Sequence, residues 1–174
     1  KEALIGLDDQ NFIVRTVPIP SSNTNQVIDT VELVLNEDQL HGEGRILLKG
    51  YPKINLQYYI NSDDKDDVKE FLEGTLEKGS NKFVLEDYDI AESGRYASEI
   101  NINYSFNLDN YVQKIGGELY INLNLSKDWL KYKLPKNKEG PLKFKSLLTN
   151  KHTYKLAIPE GFSVKYLPDN VFYD

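Results

Sequence analysis

From Ile100 the chain sets an apolar or aromatic side chain at every second position, namely Ile100, Ile102, Tyr104, Phe106 and Leu108. Asn101, Asn103, Ser105, Asn107 and Asp109 fill the positions between. A period of two marks a half-buried strand, with one face on a core and one in water. After Asp109-Asn110 and Lys114-Ile115-Gly116-Gly117 the alternation resumes with Leu119, Ile121, Leu123 and Leu125 against Glu118, Tyr120, Asn122 and Asn124. Together the two runs predict a hairpin at the centre of the core. Ile102, Phe106, Leu119 and Ile121 should be buried, and Asn103 and Asn122 should face water. A slip of one residue would expose every Ile and Leu, so the register is firmly set.

The same period recurs on either side. Val27 to Asn36 alternates through Val31, Leu33 and Leu35, turns at Asn36-Glu37-Asp38-Gln39, and returns from Leu40 to Gly50 with Gly42 and Gly44 near the start. That is a second predicted hairpin. Lys82 to Ala91 predicts a strand closed by Glu92-Ser93-Gly94, and Tyr154, Leu156 and Ile158 mark another.

Pro52 to Lys78 changes period. Pro52 suits a first helical turn, and Leu56, Tyr59 and Ile60 share a face. Ser62 and Asp63 can cap a second helix, with Asp66 and Asp67 favourable at its positive end. Val68, Phe71, Leu72 and Leu76 follow at helical spacing until Gly79 stops the run. The predicted fold is therefore mainly β, an antiparallel β-sandwich over residues 27–174 with a short two-helix insertion at residues 52–78.

Lys1 to Gln26 reads as a linker or the exit from a preceding domain, anchored by Leu4, Ile5, Phe12, Ile13 and Val14. Pro18, Pro20 and Ser21-Ser22-Asn23-Thr24-Asn25 then read as extended chain. The sequence opens on Lys1, has no Met, and stops just after Val171-Phe172-Tyr173, where a further strand would begin. It reads as a piece of a longer precursor or a mature fragment, and either the sheet finishes there or its remaining strands lie beyond.

With 174 residues, 40% hydrophobic and 28% charged, the chain suits a globular fold with a sizeable core. Its net charge of −6 argues against nucleic acid as the main partner, because phosphates require clustered cations. No apolar run approaches the roughly 20 residues of a membrane helix. The absence of Cys excludes disulfides, thiol nucleophiles and Cys-ligated zinc in these residues.

The remaining motifs carry little chemistry. Asp63-Asp64-Lys65-Asp66-Asp67 lacks the glycine and distal Glu of a calcium loop, so it reads as a solvated helix start. His41 and His152 lie far apart and in no metal motif, which makes both structural. Ser93 lacks the first glycine of a nucleophile elbow. No catalytic residue, metal site or cofactor is predicted.

One segment suggests binding. From Lys127 to Lys145 the aromatics Trp129, Tyr132 and Phe144 interleave with lysines, among them Lys131 and Lys133. Aromatics among cations can stack sugars or grip an acidic peptide. Equally, the aromatics can cover one end of the fold while the lysines stay solvated. Trp129, Lys131, Tyr132, Lys133 and Phe144 are therefore the candidate ligand-binding residues. The amide-rich face of Asn101, Asn103, Ser105, Asn122 and Asn124 is a second candidate, for carbohydrate, and it serves equally as plain surface.

Several landmarks in order resemble a known family. They are Gly50-Tyr51 leading into paired helices, Asn107-Leu108-Asp109-Asn110-Tyr111, Gly117-Glu118-Leu119-Tyr120-Ile121-Asn122, and Leu156-Ala157-Ile158-Pro159-Glu160-Gly161-Phe162-Ser163-Val164 with Leu167-Pro168. Together they look like the β-domain of unknown function that follows the transglutaminase-like core in large secreted bacterial proteins. The resemblance runs from Val27 to the end. It implies a noncatalytic accessory module, periplasmic or extracellular, serving the neighbouring domain of the same precursor; an independent glycan- or peptide-binding module using the aromatic–lysine segment is the alternative. The family's Cys-His-Asp triad belongs to the core, and its Cys has no counterpart in this chain.

Overall fold

The computed structural model describes residues 2–60, 65–80, 82–91, 96–127 and 146–172. In chain order they form β1 (Glu2–Gly6), β2 (Phe12–Thr16), β3 (Gln26–Asn36), β4 (Gln39–Lys49), α1 (Tyr51–Ile60), α2 (Lys65–Leu76), β5 (Phe83–Ile90), β6 (Glu99–Leu108), β7 (Gln113–Ile115), β8 (Glu118–Tyr120) and β9 (Thr149–Leu156). The principal sheet has five strands in the order β5-β6-β4-β3-β9.

The alternating run at Ile100 becomes β6, and its inward row of Ile100, Ile102, Tyr104, Phe106 and Leu108 is buried. Val31 and Leu33 of β3 join it, with Leu40, Ile46 and Leu48 of β4 and Leu85 of β5. Leu56 of α1 and Leu72 and Leu76 of α2 close over this face. Tyr59 stacks on Phe71 at 4.3 Å between ring centres, which ties the two helices together. Both predicted helices are present; residues 61–64, which hold the expected Ser62 and Asp63 cap, lie outside the described residues.

The predicted turn between β3 and β4 is also present, a two-residue connection with Glu37 in the left-handed region at φ 59°. Gly42 and Gly44 stand in the inward row of β4 because a Cβ there would overlap the rings of Phe106 and Tyr104 respectively. Two large aromatics on one strand thus require two bare positions on its neighbour.

The structure departs from expectation at four places. The first is the central hairpin. β6 is flanked on both edges, by β4 and by β5, so no edge is left for residues 118–125. Those residues instead give β8, which among the described residues pairs only with the short β7 around Gly116 and Gly117, and then irregular chain. Leu119 and Ile121 are accordingly half-buried, whereas Leu125 is fully buried and its carbonyl accepts from the Gly79 N–H at 2.9 Å.

The second concerns strand direction. β9 lies parallel to β3, from Gln26 opposite Thr149 to Leu33 opposite Leu156, so the sheet is mixed rather than antiparallel. β9 also stops at Leu156, short of the expected Ile158. The third is the layering. Helices, rather than a second sheet, cover the core face among the described residues, so a sandwich is not shown. The fourth is the lead-in. Residues 2–16 form an antiparallel hairpin, β1 with β2, a pairing not expected within the lead-in. Its turn is fixed by Asp8, whose Oδ1 accepts from the backbone N–H groups of Gln10 at 2.9 Å and Asn11 at 2.8 Å.

Candidate functional site

Five strands leave two faces, and each carries a polar feature. On the core face, the inward row of β3 runs Val27, Asp29, Val31, Leu33, and Asp29 is fully buried. An isolated carboxylate there would be costly, so it must be paired. Lys78, just past α2, is buried and places Nζ 2.7 Å from Asp29 Oδ2. The Tyr104 hydroxyl donates to Asp29 Oδ1 at 2.7 Å. His152 of β9 brings Nδ1 to 3.5 Å from Oδ2. Lys78 Nζ also lies over the Tyr104 ring, 5.2 Å from its centre.

Burial alone would raise the Asp29 carboxyl, but His152, the Lys78 charge and hydrogen bond, and the Tyr104 hydroxyl outweigh it and hold the group below its ordinary range. Burial, reinforced by the charge on Asp29, pushes the Tyr104 phenol well above its ordinary value. Both carboxylate oxygens of Asp29 are thus engaged, and Tyr104 keeps its proton. Such a cluster ties β3, β6, β9 and the end of α2 into one piece.

The opposite face is open and polar. Thr30, Glu32, Glu43, Arg45, Asp87, Asp89, Asn103 and Ser105 surround a shallow concavity of about 670 Å³. Arg45 Nη2 donates to Asn101 Oδ1 at 3.1 Å, and Lys155 reaches Glu32 at 3.3 Å. Of the predicted amide face, Asn101, Asn103 and Ser105 belong here; Asn122 and Asn124 do not, because their segment leaves the sheet.

His41 sits in β4 with Nδ1 2.9 Å from Asn107 Oδ1 and 3.6 Å from Glu86, a hydrogen-bonded surface position as expected. Asp66 and Asp67 occupy the first turn of α2, and no cluster suited to a metal exists among the described residues. Trp129, Lys131, Tyr132, Lys133, Phe144 and Ser93 lie outside the described residues. No helix among the described residues is long and apolar enough to cross a membrane.

A third feature is apolar. Leu4 is 65% exposed, Phe12 65% and Val14 60%, on a two-stranded sheet that pairs with no other strand among the described residues. Leu7, Val17 and Ile19 are exposed beside them. Comparison of the chain with protein-family models, with characterised proteins and with solved structures gave no match.

Sequence reasoning missed the Asp29 cluster, although one sign of it was available. Asp29 falls on the inward-facing parity of β3, where an acid calls for a buried partner. Lys78 and His152, 49 and 123 residues further along the chain, carried no such sign.

Proposed function

We propose that this chain is a noncatalytic accessory module that docks on a neighbouring domain of a larger, secreted, transglutaminase-like bacterial protein. The observation that carries this reading is the bare apolar hairpin of β1 and β2. Two-stranded hairpins are marginal by themselves in water. Exposing Leu4, Phe12 and Val14 on one therefore points to a surface that another domain covers. An interface between domains of one chain typically buries about 600–1,500 Å² and is moderately polar. A segment this close to the docking body holds it at high effective concentration.

The noncatalytic part of this reading is supported by the chemistry of the buried cluster. Asp29 accepts from Lys78 and the Tyr104 hydroxyl and has His152 beside it, which disfavours a free base there, and the held Tyr104 proton disfavours a nucleophile. The family and its periplasmic or extracellular setting rest on the sequence landmarks alone. A sandwich would need a second sheet supplied from outside the described residues.

A second reading is a glycan- or peptide-binding module. The open concavity with its Asn and Ser row supports it. Thermal melting separates the two. A shared, raised transition in a protein carrying the preceding domain supports docking, and independent, unshifted transitions support a separate binding module.

A further inference from the structure

The sheet ends at β5, which pairs with β6 alone among the described residues. An edge strand presents unpaired backbone N–H and C=O groups that can accept another strand. α2 runs beside this edge. Between them lies an open groove of about 450 Å³ lined by Glu73, Gly74, Glu77, Phe83, Val84 and Leu85. Phe83 packs on the core and Leu85 is buried on the α2 side, while Val84, on the opposite face of β5, remains 52% exposed.

Its surroundings are acidic. Glu73 and Glu77 stand on the α2 side and Glu86, Asp87 and Asp89 along β5, against Lys69, 3.8 Å from Glu73, and Lys82 just before the strand. Gly74 adds an independent observation. A glycine inside a helix is less stable there than alanine, so it calls for a packing reason. Here a Cβ would meet nothing within 4 Å. Packing among the described residues does not require the glycine, which leaves a bare stretch of helix backbone on the groove wall.

We propose that β5 and α2 form a docking edge for an extended peptide of alternating basic and apolar residues, which joins the sheet as a further strand. Main-chain hydrogen bonds to β5 would hold it, and the pockets met by alternate side chains would select it. Its apolar residues would rest on Phe83 beside Gly74, on the α2 side, and its basic residues, on the opposite face, would meet Asp87 and Asp89. The bulge between Leu85 and Asp87 would keep each paired stretch short. This surface is separate from the β1–β2 hairpin, and neither reading depends on the other.

The test is an NMR titration of the isotopically labelled chain with a short peptide of alternating lysine and valine, and with its glutamate–valine counterpart. The lysine peptide should shift amides of residues 70–77 and 83–90 saturably, and salt should weaken it about tenfold. The glutamate peptide should shift none of them. Gly74→Leu, and Asp87→Lys with Asp89→Lys, should each weaken binding about tenfold in variants that keep the native spectrum, since surface changes seldom unfold a domain. Gly74→Ala provides a milder probe at the same position and should raise the melting temperature. Equal binding of both peptides, unchanged affinity in the variants, or shifts centred on Thr30, Arg45 and Asn103 would overturn the proposal. So would no saturable shift at millimolar peptide, which would leave the acids as guards of a bare edge.

Discussion

Lys78 and Asp29 meet at 2.7 Å, Nζ to Oδ2, with both side chains almost wholly removed from water. One lies just beyond a helix and the other inside a central strand, so the pair fastens the end of the helical layer to the sheet. Removing one partner of a buried pair strands the other, which typically costs about 3–5 kcal/mol. Lys78→Met and Asp29→Leu alone should each destabilise by that order in urea titration. The double variant should recover much of the loss. Additive losses would contradict the pairing.

The same carboxylate predicts a pH dependence. Its folded value lies below the unfolded one, so its stabilisation is complete above the unfolded value of about 3.9 and is lost as pH falls through the lower folded value. Stability measured from pH 6 down to pH 2 should therefore fall more steeply in the parent than in Asp29→Asn. Parallel curves would show that Asp29 is not held in its charged form.

Gly42 and Gly44 should resist enlargement. A methyl group at either position enters the space of a buried ring, Phe106 or Tyr104. Overpacking of this kind costs about 1–3 kcal/mol, sometimes more. Gly44→Ala should also weaken the Tyr104 hydrogen bond to Asp29, so Gly44→Ala and Tyr104→Phe should be non-additive when combined. Chemical denaturation of the two single variants and the double variant measures that coupling.

The alternation on β6 makes a simpler prediction. Ile102 is fully buried and Asn103 faces the open side. Ile102→Ala should cost about 2–5 kcal/mol. Asn103→Ala should stay within about 0.5 kcal/mol. Equal losses would refute the pattern.

Local signals in the sequence were legible, and long-range ones were not. The turn at Glu37, the two helices and the inward row of β6 all follow from periodicity and turn chemistry close at hand. Strand direction does not: Asn150, His152 and Tyr154 keep the same parity whether β9 runs parallel or antiparallel to β3. Nor does periodicity tell which strands pair, so two alternating runs joined by Gly116-Gly117 passed for one hairpin. The β1–β2 hairpin was hidden for a different reason. Leu4 and Ile5, like Phe12, Ile13 and Val14, are apolar on both faces and show no alternation. The aromatic–lysine candidates from Trp129 to Phe144 fall outside the described residues, and the Asp29 cluster assembles from four distant segments.

Amide hydrogen exchange of the β1–β2 hairpin tests the docking account most directly. It should be followed in the isolated chain and in a protein that also carries the preceding domain. In the isolated chain, amides of Ala3–Ile5 and Ile13–Arg15 should exchange rapidly while those of Ile100–Phe106 stay protected, because a lone hairpin opens readily and the central strand opens only with the whole sheet. With the preceding domain attached, the hairpin amides should slow by at least about tenfold, a coupling of roughly 1.4 kcal/mol, and β6 should change little. Hairpin exchange that is equally fast in both proteins would contradict the account.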